Sequence, residues 1–357
     1  MKKEIAHFFK EIEVLLTSNL PFVVYRKPNE KKVSCLAQKD KTLNILKEFN
    51  DSGFVFAPFD DSKNTVIFPF KKCKSFETEI SFKSDLETPQ NLANVKAKTS
   101  LKKAQLEHEK IVQKAINFII SGSSNKIVLS RKEELISSNL DVLVTLKKML
   151  NTYNNAFVYV WFHPQIGLWM GATPERLLSV SKNVFTTMAL AGTQSYKNSL
   201  RVNWESKERD EQQFVTNYIL SSIQKCVDNL SVSNPYTIKA GNLLHLRTDI
   251  TGKLKETSLL GDIVKSLHPT PAVCGLPKEV AKEFILKNER YDRAYYSGFL
   301  GELNLYNSTN LFVNLRCMQI ENSVASLYIG GGITAESIPQ NEWFETVSKA
   351  EIMKKVL

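Results

Sequence analysis

The sequence predicts an α+β fold, a single large domain of mostly antiparallel β-sheets flanked by helices. Short apolar or alternating segments, which are typical of strands, follow one another in runs, and helical patterns fall in blocks between them. This order differs from the regular strand and helix alternation that indicates a parallel sheet. The 357 residues, 43% of them hydrophobic, are enough to bury a large core.

The first part of the chain combines one helical pattern with strands. "MKKEIAHFFKEIEVLL" mixes acidic and apolar residues and indicates an amphipathic helix instead of a signal peptide. "GFVFAPF" and "NTVIFPF" are predicted strands. The polar stretch at 83–105, which contains Pro89, is the best candidate boundary. We therefore expect residues 1–105 to form the N-terminal part of the fold and residues 106–357 its core.

The predicted core begins with the helix "LEHEKIVQKAINFIISG", the strand "KIVLSRKEEL" and the helix "DVLVTLKKML". Strands are predicted at "AFVYVWF", "GLWMGA", "RLLSVS" and "VFTTMALAG". The long helix "KERDEQQFVTNYILSSIQKCV" would place apolar residues from Phe214 to Cys226 on one face. The helix "PKEVAKEFILKN", a hairpin of "NLFVNLRCMQI" with "SVASLYIGG" that turns at Glu321 and Asn322, and a last helix complete the chain.

Composition argues against several classes of protein. The net charge is +10, but the basic residues cluster only between Lys63 and Lys103, where there are nine lysines against four acids and no interleaved aromatic platform. This pattern favours a solvated surface over a polyanion site, so no nucleic acid partner is expected. No apolar run approaches about eighteen residues, so no membrane association is expected. Five scattered cysteines indicate reduced thiols in a cytoplasmic protein.

Three adjacent glycines, Gly330, Gly331 and Gly332, follow the apolar segment "SLYI" near the C-terminus. Glycine lets the backbone approach a ligand closely and leaves amide N–H groups available for an anion. Because the glycines are adjacent and do not open a helix, they do not form the dinucleotide fingerprint.

The helix after these glycines carries Glu342, Glu345 and Lys349 at positions i, i+3 and i+7, so all three share one face. Carboxylates that face a small cavity suit Mg²⁺, which usually takes one or two of them and keeps its other positions for water and substrate. The alternative is an ordinary i, i+4 ion pair between Glu345 and Lys349. Glu208 and Glu211 form a second i, i+3 pair at a helix start. Two such helices could hold one divalent cation between them.

Lys126 and Glu175 have the character of a base and an acid. Lys126 opens the apolar strand "KIVLSR", where partial burial would lower its pKa toward a value useful to a general base. Glu175 follows a Thr-Pro turn into an apolar strand, where burial would raise its pKa and keep it protonated. The alternative for each is a surface charge at a strand end.

Arg316 and His268 complete the set of candidates. Arg316 is predicted in the middle of a strand, where it needs an anionic partner, either a buried glutamate or a substrate carboxylate. His268 lies in "LHPTPAVCG", in which two prolines would fix a rigid loop. The sequence lacks the HxxxH, GxSxG and GxxxxGK[ST] patterns of zinc, serine-nucleophile and nucleotide phosphate sites.

Taken together, these fragments resemble the chorismate-utilising enzymes, which include isochorismate, salicylate, anthranilate and aminodeoxychorismate synthases. The matching motifs cover roughly residues 108–357 in family order. They are "KIVLSR", "GATPERLL", "LAGT", "SKERDEQQFV", "LLHLRTDITG", "LHPTPAVCGLP", "YDRAYYSGFLGE", "NLRCMQ" and "YIGGGITAESIPQNEWFETVSK". The resemblance implies the chorismate-binding, aminodeoxychorismate synthase-like fold, to which the first hundred residues would belong as well.

The resemblance also implies roles for these residues. Glu211 and Glu342 would hold Mg²⁺, supported by Glu208 and Glu345, and the ion would take the ring carboxylate of chorismate. The residues implied at the other carboxylate or around the cavity are Arg316, Tyr296, Lys349, Gly330, Gly331 and Gly332, and those implied along the ring are Gly192, Thr193 and His268. The pattern departs from many relatives at Gln212, where they have a histidine.

Two positions indicate which reaction to expect. The amine-adding relatives typically have glutamine where this chain has Lys126, and aminodeoxychorismate synthases have a nucleophilic lysine where it has Ala191. The resemblance therefore implies an isochorismate synthase that adds water, with Lys126 as base and Glu175 as acid, and without a glutaminase subunit. Its product could serve menaquinone or siderophore biosynthesis. Salicylate synthase, which next eliminates pyruvate, remains an alternative, as does a basic binding protein on a degenerate enzyme scaffold.

Overall fold

The computed structural model describes residues 2–81, 86, 95–137, 140–197, 199–240 and 243–357. Its helices are Ile5–Thr17 (α1), Leu101–Ile120 (α2), Val142–Thr152 (α3), Ser206–Ile223 (α4), Leu260–Leu267 (α5), Lys278–Asn288 (α6) and Pro339–Lys354 (α7). Its strands are Phe22–Arg26 (β1), Lys32–Gln38 (β2), Gly53–Ala57 (β3), Val66–Pro69 (β4), Cys73–Glu79 (β5), Val95–Ala97 (β6), Lys126–Ser137 (β7), Phe157–His163 (β8), Gly167–Thr173 (β9), Arg176–Ser181 (β10), Val184–Ser195 (β11), Val227–Val232 (β12), Tyr236–Ala240 (β13), Leu243–Leu254 (β14), Gly275–Leu276 (β15), Phe299–Leu305 (β16), Ser308–Val313 (β17), Cys317–Glu321 (β18) and Val324–Ile333 (β19).

The strands form two sheets. The first has the order β15-β7-β19-β18-β9-β8-β1-β2-β5, with β6 also paired to β7. The second has the order β12-β14-β11-β10-β17-β16-β3-β4, with β13 also paired to β14. Neighbouring strands run antiparallel in both sheets, for example β7 with β19 and β11 with β14. The predicted α+β class with mostly antiparallel sheets is therefore confirmed.

Aromatic side chains fill the space between the two sheets. Trp161 of the first sheet packs against Phe56 and Phe68 of the second, with ring centroids 4.7 Å and 5.1 Å away. Phe157 stacks on Phe312 at 4.3 Å. Burial of each such side chain stabilises the folded state by about 1.5–3 kcal/mol. This packed layer supports the loops at its edge.

Helices cover the outer faces of both sheets. Apolar residues of α1 and α3 pack on the first sheet, and those of α4 and α5 pack on the second. Helices α2 and α6 lie against β7. No helix in the described part of the chain is both long and apolar enough to cross a membrane.

Two of the places where the chain crosses between the two sheets, after β9 and after β17, are adjacent. The crossings are joined by hydrogen bonds. Thr173 Oγ1 donates to the Val313 carbonyl at 2.6 Å, and the Val313 N–H donates to the Glu175 carbonyl at 3.0 Å. The Ala172 N–H donates to the Arg316 carbonyl at 3.1 Å. Glu175 and Arg316 therefore lie side by side on segments that both sheets hold.

Most elements predicted from the sequence are present, with three corrections. Helix α2 begins at Leu101 instead of Leu106. Phe214 is 55% exposed, so the apolar face predicted for α4 is wrong at that residue, and α4 ends at Ile223, before Cys226. Arg316 lies between β17 and β18, not within a strand.

The two predicted parts of the chain share both sheets, because β1 and β3 pair with β8 and β16. Residues 105 and 106, at the proposed division, lie inside α2. Within the predicted boundary segment, residues 83–85 and 87–94, including Pro89, lie outside the described residues.

Candidate active site

A cavity of about 200 Å³ lies beside the two sheet crossings, with walls from both sheets, α4 and α7. All but one of the site residues predicted from the sequence line it. These are Lys126, Glu175, Gly192, Thr193, Glu208, Glu211, Tyr296, Arg316, Gly330, Gly331, Gly332, Glu342, Glu345 and Lys349. The exception is His268.

Lys126 begins β7, with its side chain only 9% exposed. Its ammonium group forms an ion pair with Glu211, with 2.5 Å between Nζ and Oε1. Gly332 lies on the neighbouring strand β19, opposite Val128, and a Cβ there would lie 2.9 Å from Lys126 Cε. This glycine therefore provides the space in which the lysine reaches the carboxylate.

Glu175 lies at the first sheet crossing and is 5% exposed. Burial raises the pKa of its carboxyl to about 7, although the positive charges of Lys126 and Arg316 partly oppose the shift. A substantial fraction of the Glu175 side chains is therefore protonated near neutral pH. This is the state expected of a proton donor.

Helix α4 directs Glu208 and Glu211 into the cavity. The Gly192 N–H donates to Glu211 Oε2 at 3.2 Å. Burial would raise the pKa of Glu211, but the charge of Lys126 and hydrogen bonds from Lys126 and Gly192 outweigh it, so the pKa is lowered. Glu208 Oε2 is buried without a hydrogen-bond partner in the described structure.

Helix α7 contributes the second acidic pair. Ser337 Oγ donates to Glu342 Oε1 at 2.6 Å. Lys349 Nζ donates to Glu345 Oε1 at 2.6 Å and to the Gly330 carbonyl at 3.0 Å, so the i, i+4 ion pair that was the alternative interpretation is present, and it lies inside the cavity. A Cβ at Gly331 would lie 3.6 Å from Glu342 Oε2 and 3.8 Å from Glu345 Oε1.

These four glutamates suit a divalent cation. Among the residues that the structure describes, no three Asp, Glu, His or Cys side chains are already gathered as a metal-binding group. Mg²⁺ does not need such a group, because it is commonly bound by one or two carboxylates, with water and substrate completing its shell. The unpartnered Glu208 Oε2 is an oxygen that such an ion, or a water bound to it, could satisfy.

Arg316 has a left-handed backbone conformation, with φ of 48°. It lies in the crossing between β17 and β18, and these strands belong to different sheets, which is why the predicted strand is interrupted there. Burial lowers the pKa of the guanidinium to about 10, while the charge of Glu175 partly opposes the shift. The side chain stays positively charged at neutral pH and can receive an anionic substrate group.

His245 is a cavity residue that was not predicted as a site residue. Burial, and then the charge of Arg316, lower its pKa to about 3, so the ring is neutral. Its Nδ1 lies 2.9 Å from the Gly192 carbonyl, which can only accept a hydrogen bond, so Nδ1 carries the proton. Nε2 is then free to accept from Arg316 Nη2 at 3.2 Å. A histidine inside the apolar motif "LLHLRTDITG" was the signal that could have identified it.

His268 does not line the cavity, so the role implied for it along the ring is corrected. Its Nε2 contacts the Pro58 carbonyl at 3.1 Å, and its ring packs edge-on against Phe299 at 5.0 Å. Burial lowers its pKa to about 4. The same loop reaches the cavity through Ala272 and Val273 instead.

The position of the Tyr296 side chain requires a glycine at residue 330, the first of the three adjacent glycines. A Cβ at Gly330 would lie 2.6 Å from the Tyr296 hydroxyl, closer than any side chain tolerates. The Tyr296 ring stacks on Tyr328 at 5.6 Å, and both rings border the cavity. Gly330 therefore allows an aromatic wall to approach the backbone strand.

Residues 56–357 match the family model described as "Chorismate binding enzyme". The chain belongs to the chorismate-binding enzyme family. The vibriobactin-specific isochorismate synthase of Vibrio cholerae is 27% identical over 289 residues, which cover 78% of this chain and 72% of the relative. Isochorismate synthase MenF of Haemophilus influenzae is 28% identical over 377 residues, which cover 92% and 84%.

A crystal structure from Bacillus anthracis, assigned as a 2,3-dihydroxybenzoate-specific isochorismate synthase, DhbC, has a TM-score of 0.79 and 25% identity. The match covers 96% of this chain and 98% of the other. Both the family and the chorismate-binding fold predicted from the motifs are therefore confirmed.

In this chorismate-binding enzyme, Gln212 follows the predicted metal ligand Glu211. The side chain is buried, and its Nε2 donates to the Ala189 carbonyl at 3.1 Å and to Thr248 Oγ1 at 2.9 Å. These bonds tie α4 to β11 and β14. Gln212 thus fixes the helix that presents Glu208 and Glu211.

Proposed function

We propose that this chorismate-binding enzyme is a Mg²⁺-dependent isochorismate synthase. The observation that carries the proposal is that Lys126 and Glu175 line one small cavity, and that burial raises the pKa of Glu175 to about 7. A base and a protonated acid on one cavity suit the exchange of a hydroxyl group between two ring carbons. Family membership and the isochorismate synthases among the relatives support chorismate as the substrate.

The proposed reaction adds one water molecule and releases another. Lys126 removes a proton from the water that attacks C2 of chorismate, the ring double bonds shift, and the C4–O bond breaks. Glu175 donates its proton to the departing C4 hydroxyl, which leaves as water. The product, isochorismate, is an isomer of the substrate. Each positioned acid or base contributes about 10²–10⁴ in rate.

The remaining cavity residues would orient the substrate, which carries two carboxylates. Arg316 and the backbone N–H groups of the glycine segment would hold one carboxylate, with Tyr296 as an aromatic wall. The ring carboxylate would face the four glutamates. Glu211 and Glu342, supported by Glu208 and Glu345, would hold Mg²⁺, which would supply the positive charge needed to bind this carboxylate among acids.

Chromatography of the products formed from chorismate tests the proposal. We expect isochorismate in the presence of Mg²⁺, little turnover with EDTA, and no amine product when ammonia is added. Salicylate as the first and main product would replace the proposal by a salicylate synthase. An aminated product would indicate an amine-adding enzyme, and absence of turnover would refute the proposal.

A further inference from the structure

Lys126 and Glu211 neutralise each other inside the cavity. The ammonium group lies 2.5 Å from Glu211 Oε1, and the other oxygen, Oε2, accepts the Gly192 N–H at 3.2 Å. Both oxygens of a proposed metal ligand are therefore already bound to the protein. The contact is built into the fold, because Lys126 reaches Glu211 over Gly332, where a Cβ would collide with the lysine.

We infer that Lys126 and the divalent cation compete for Glu211, so that metal binding releases the base from its ion pair. An ammonium group 2.5 Å from Oε1 and a divalent cation on the same oxygen repel each other, so each weakens the binding of the other. This inference rests on the proposed function. It adds a coupling between loading of the metal and freeing of the lysine that acts on water.

The coupling would give the lysine two roles in succession. In the metal-free protein, Lys126 balances the charge of Glu211, as Lys349 balances that of Glu345. With the metal bound, Glu211 is neutralised by the ion, and Lys126 can turn toward the substrate water. Such coupling is reciprocal: the ion pair weakens metal binding by the same factor by which the bound metal weakens the ion pair. Removal of the lysine should therefore strengthen metal binding by that factor.

Calorimetric titration of chorismate-free protein with MgCl₂ tests this factor directly. Lys126→Met should bind Mg²⁺ about tenfold more tightly than the unmodified protein, which corresponds to about 1.4 kcal/mol. Lys126→Arg keeps a cation that can pair with Glu211 and should show no gain. Lys354→Met is the matched control, because it removes a lysine that is paired with Glu133 outside the cavity and should leave the affinity unchanged.

The Glu211→Gln background separates competition from a general effect of charge. Lys126→Met in that background should change the Mg²⁺ affinity by less than about twofold, because the contested carboxylate is gone and the two changes should no longer couple. An equal gain in both backgrounds would overturn the inference. So would Lys126→Met binding Mg²⁺ no better than the unmodified protein, or no Mg²⁺ binding by any variant.

Thermal unfolding gives a second reading if the variants bind weakly. Without metal, Lys126→Met should unfold at a lower temperature than the unmodified protein, and saturating Mg²⁺ should raise its unfolding temperature by the larger amount. An equal rise in both proteins would contradict the competition. Because chorismate is absent from these measurements, competition could be established even if the product assay refuted an isochorismate synthase, and the reverse outcome is equally distinguishable.

Discussion

Glu175 and Arg316 lie on two neighbouring segments at which the chain crosses between the sheets, and these segments are hydrogen-bonded to each other. These hydrogen bonds fix the position of the proposed acid relative to the proposed anchor for a substrate carboxylate. Their charges also affect each other. Burial raises the pKa of Glu175, and the charge of Arg316 opposes this rise; burial lowers the pKa of Arg316, and the charge of Glu175 opposes this fall. A substrate placed on Arg316 is thereby placed against Glu175.

Replacement of the proposed base should abolish most activity. Lys126→Ala should lower turnover of chorismate by about 10² or more, because nothing else in the proposed reaction would deprotonate the attacking water. Lys132→Ala, on the same strand but outside the cavity, should retain activity. Steady-state assays decide, and turnover near that of the unmodified enzyme in Lys126→Ala would remove the lysine from the mechanism.

Replacement of the proposed acid should act on the chemical step alone. Glu175→Gln keeps the size of the side chain but cannot donate a carboxyl proton, so kcat should fall about 10²-fold or more while the protein stays folded. The exposed residue Glu336 offers the control Glu336→Gln, which should be close to the unmodified enzyme. If Glu175→Gln retained the kcat of the unmodified enzyme, a group other than Glu175 would have to donate the proton.

Glu175 should also make stability depend on pH. Its pKa is about 7 in the folded protein, against an ordinary value of 4.5, so the folded state holds more protons between these values. The free energy of unfolding should therefore fall as pH rises from about 4.5 to about 7, by roughly 3 kcal/mol at 1.36 kcal/mol per pKa unit. Urea unfolding at about pH 5 and about pH 8 should show this loss in the unmodified protein and a smaller one in Glu175→Gln. An identical pH profile for both would contradict a buried, protonated carboxyl.

Removal of one predicted metal ligand should remove the magnesium effect. Glu342→Ala deletes a buried carboxylate that faces the cavity and accepts from Ser337, so activity and its response to added Mg²⁺ should both be lost. Glu351→Ala, on the solvent side of the same helix, serves as the control. A normal Mg²⁺ activation curve for Glu342→Ala would exclude this residue as a ligand.

The glycines should differ in their tolerance of a methyl group. Gly330→Ala would bring Cβ to 2.6 Å from the Tyr296 hydroxyl, whereas at Gly331 the nearest atom is 3.6 Å away. We expect Gly330→Ala to destabilise the protein by about 1–3 kcal/mol, as overpacking does. Gly331→Ala should cost less, although it could still impair catalysis. Equal unfolding midpoints for the two variants would show that the Tyr296 side chain moves to accommodate the added methyl group.

The sequence carried enough information to predict the class of fold, most strands and helices of the core, and about half of the residues that line the cavity. Apolar alternation marked strands such as β8 and β9, and the acidic pairs on α4 and α7 stood out because carboxylates recur on one helical face. The predictions for Arg316 and His268 were wrong for one shared reason, which is that tertiary structure decides both positions and leaves no local signal in the sequence. Arg316 lies outside a strand because the chain changes sheets there. His268 turns inward onto Pro58. His245 was missed because an isolated histidine within an apolar strand is usually a packed one.

The order of the strands bears on how this protein could be divided. Strand β1 lies between β8 and β2, and β3 lies between β16 and β4, so the early residues fill interior positions of both sheets. A fragment that began at residue 106 would leave β8 and β16 as new, apolar edges, and such edges are prone to join those of other molecules. The catalytic motifs are concentrated in the later residues, yet those residues cannot be expected to fold as a separate enzyme.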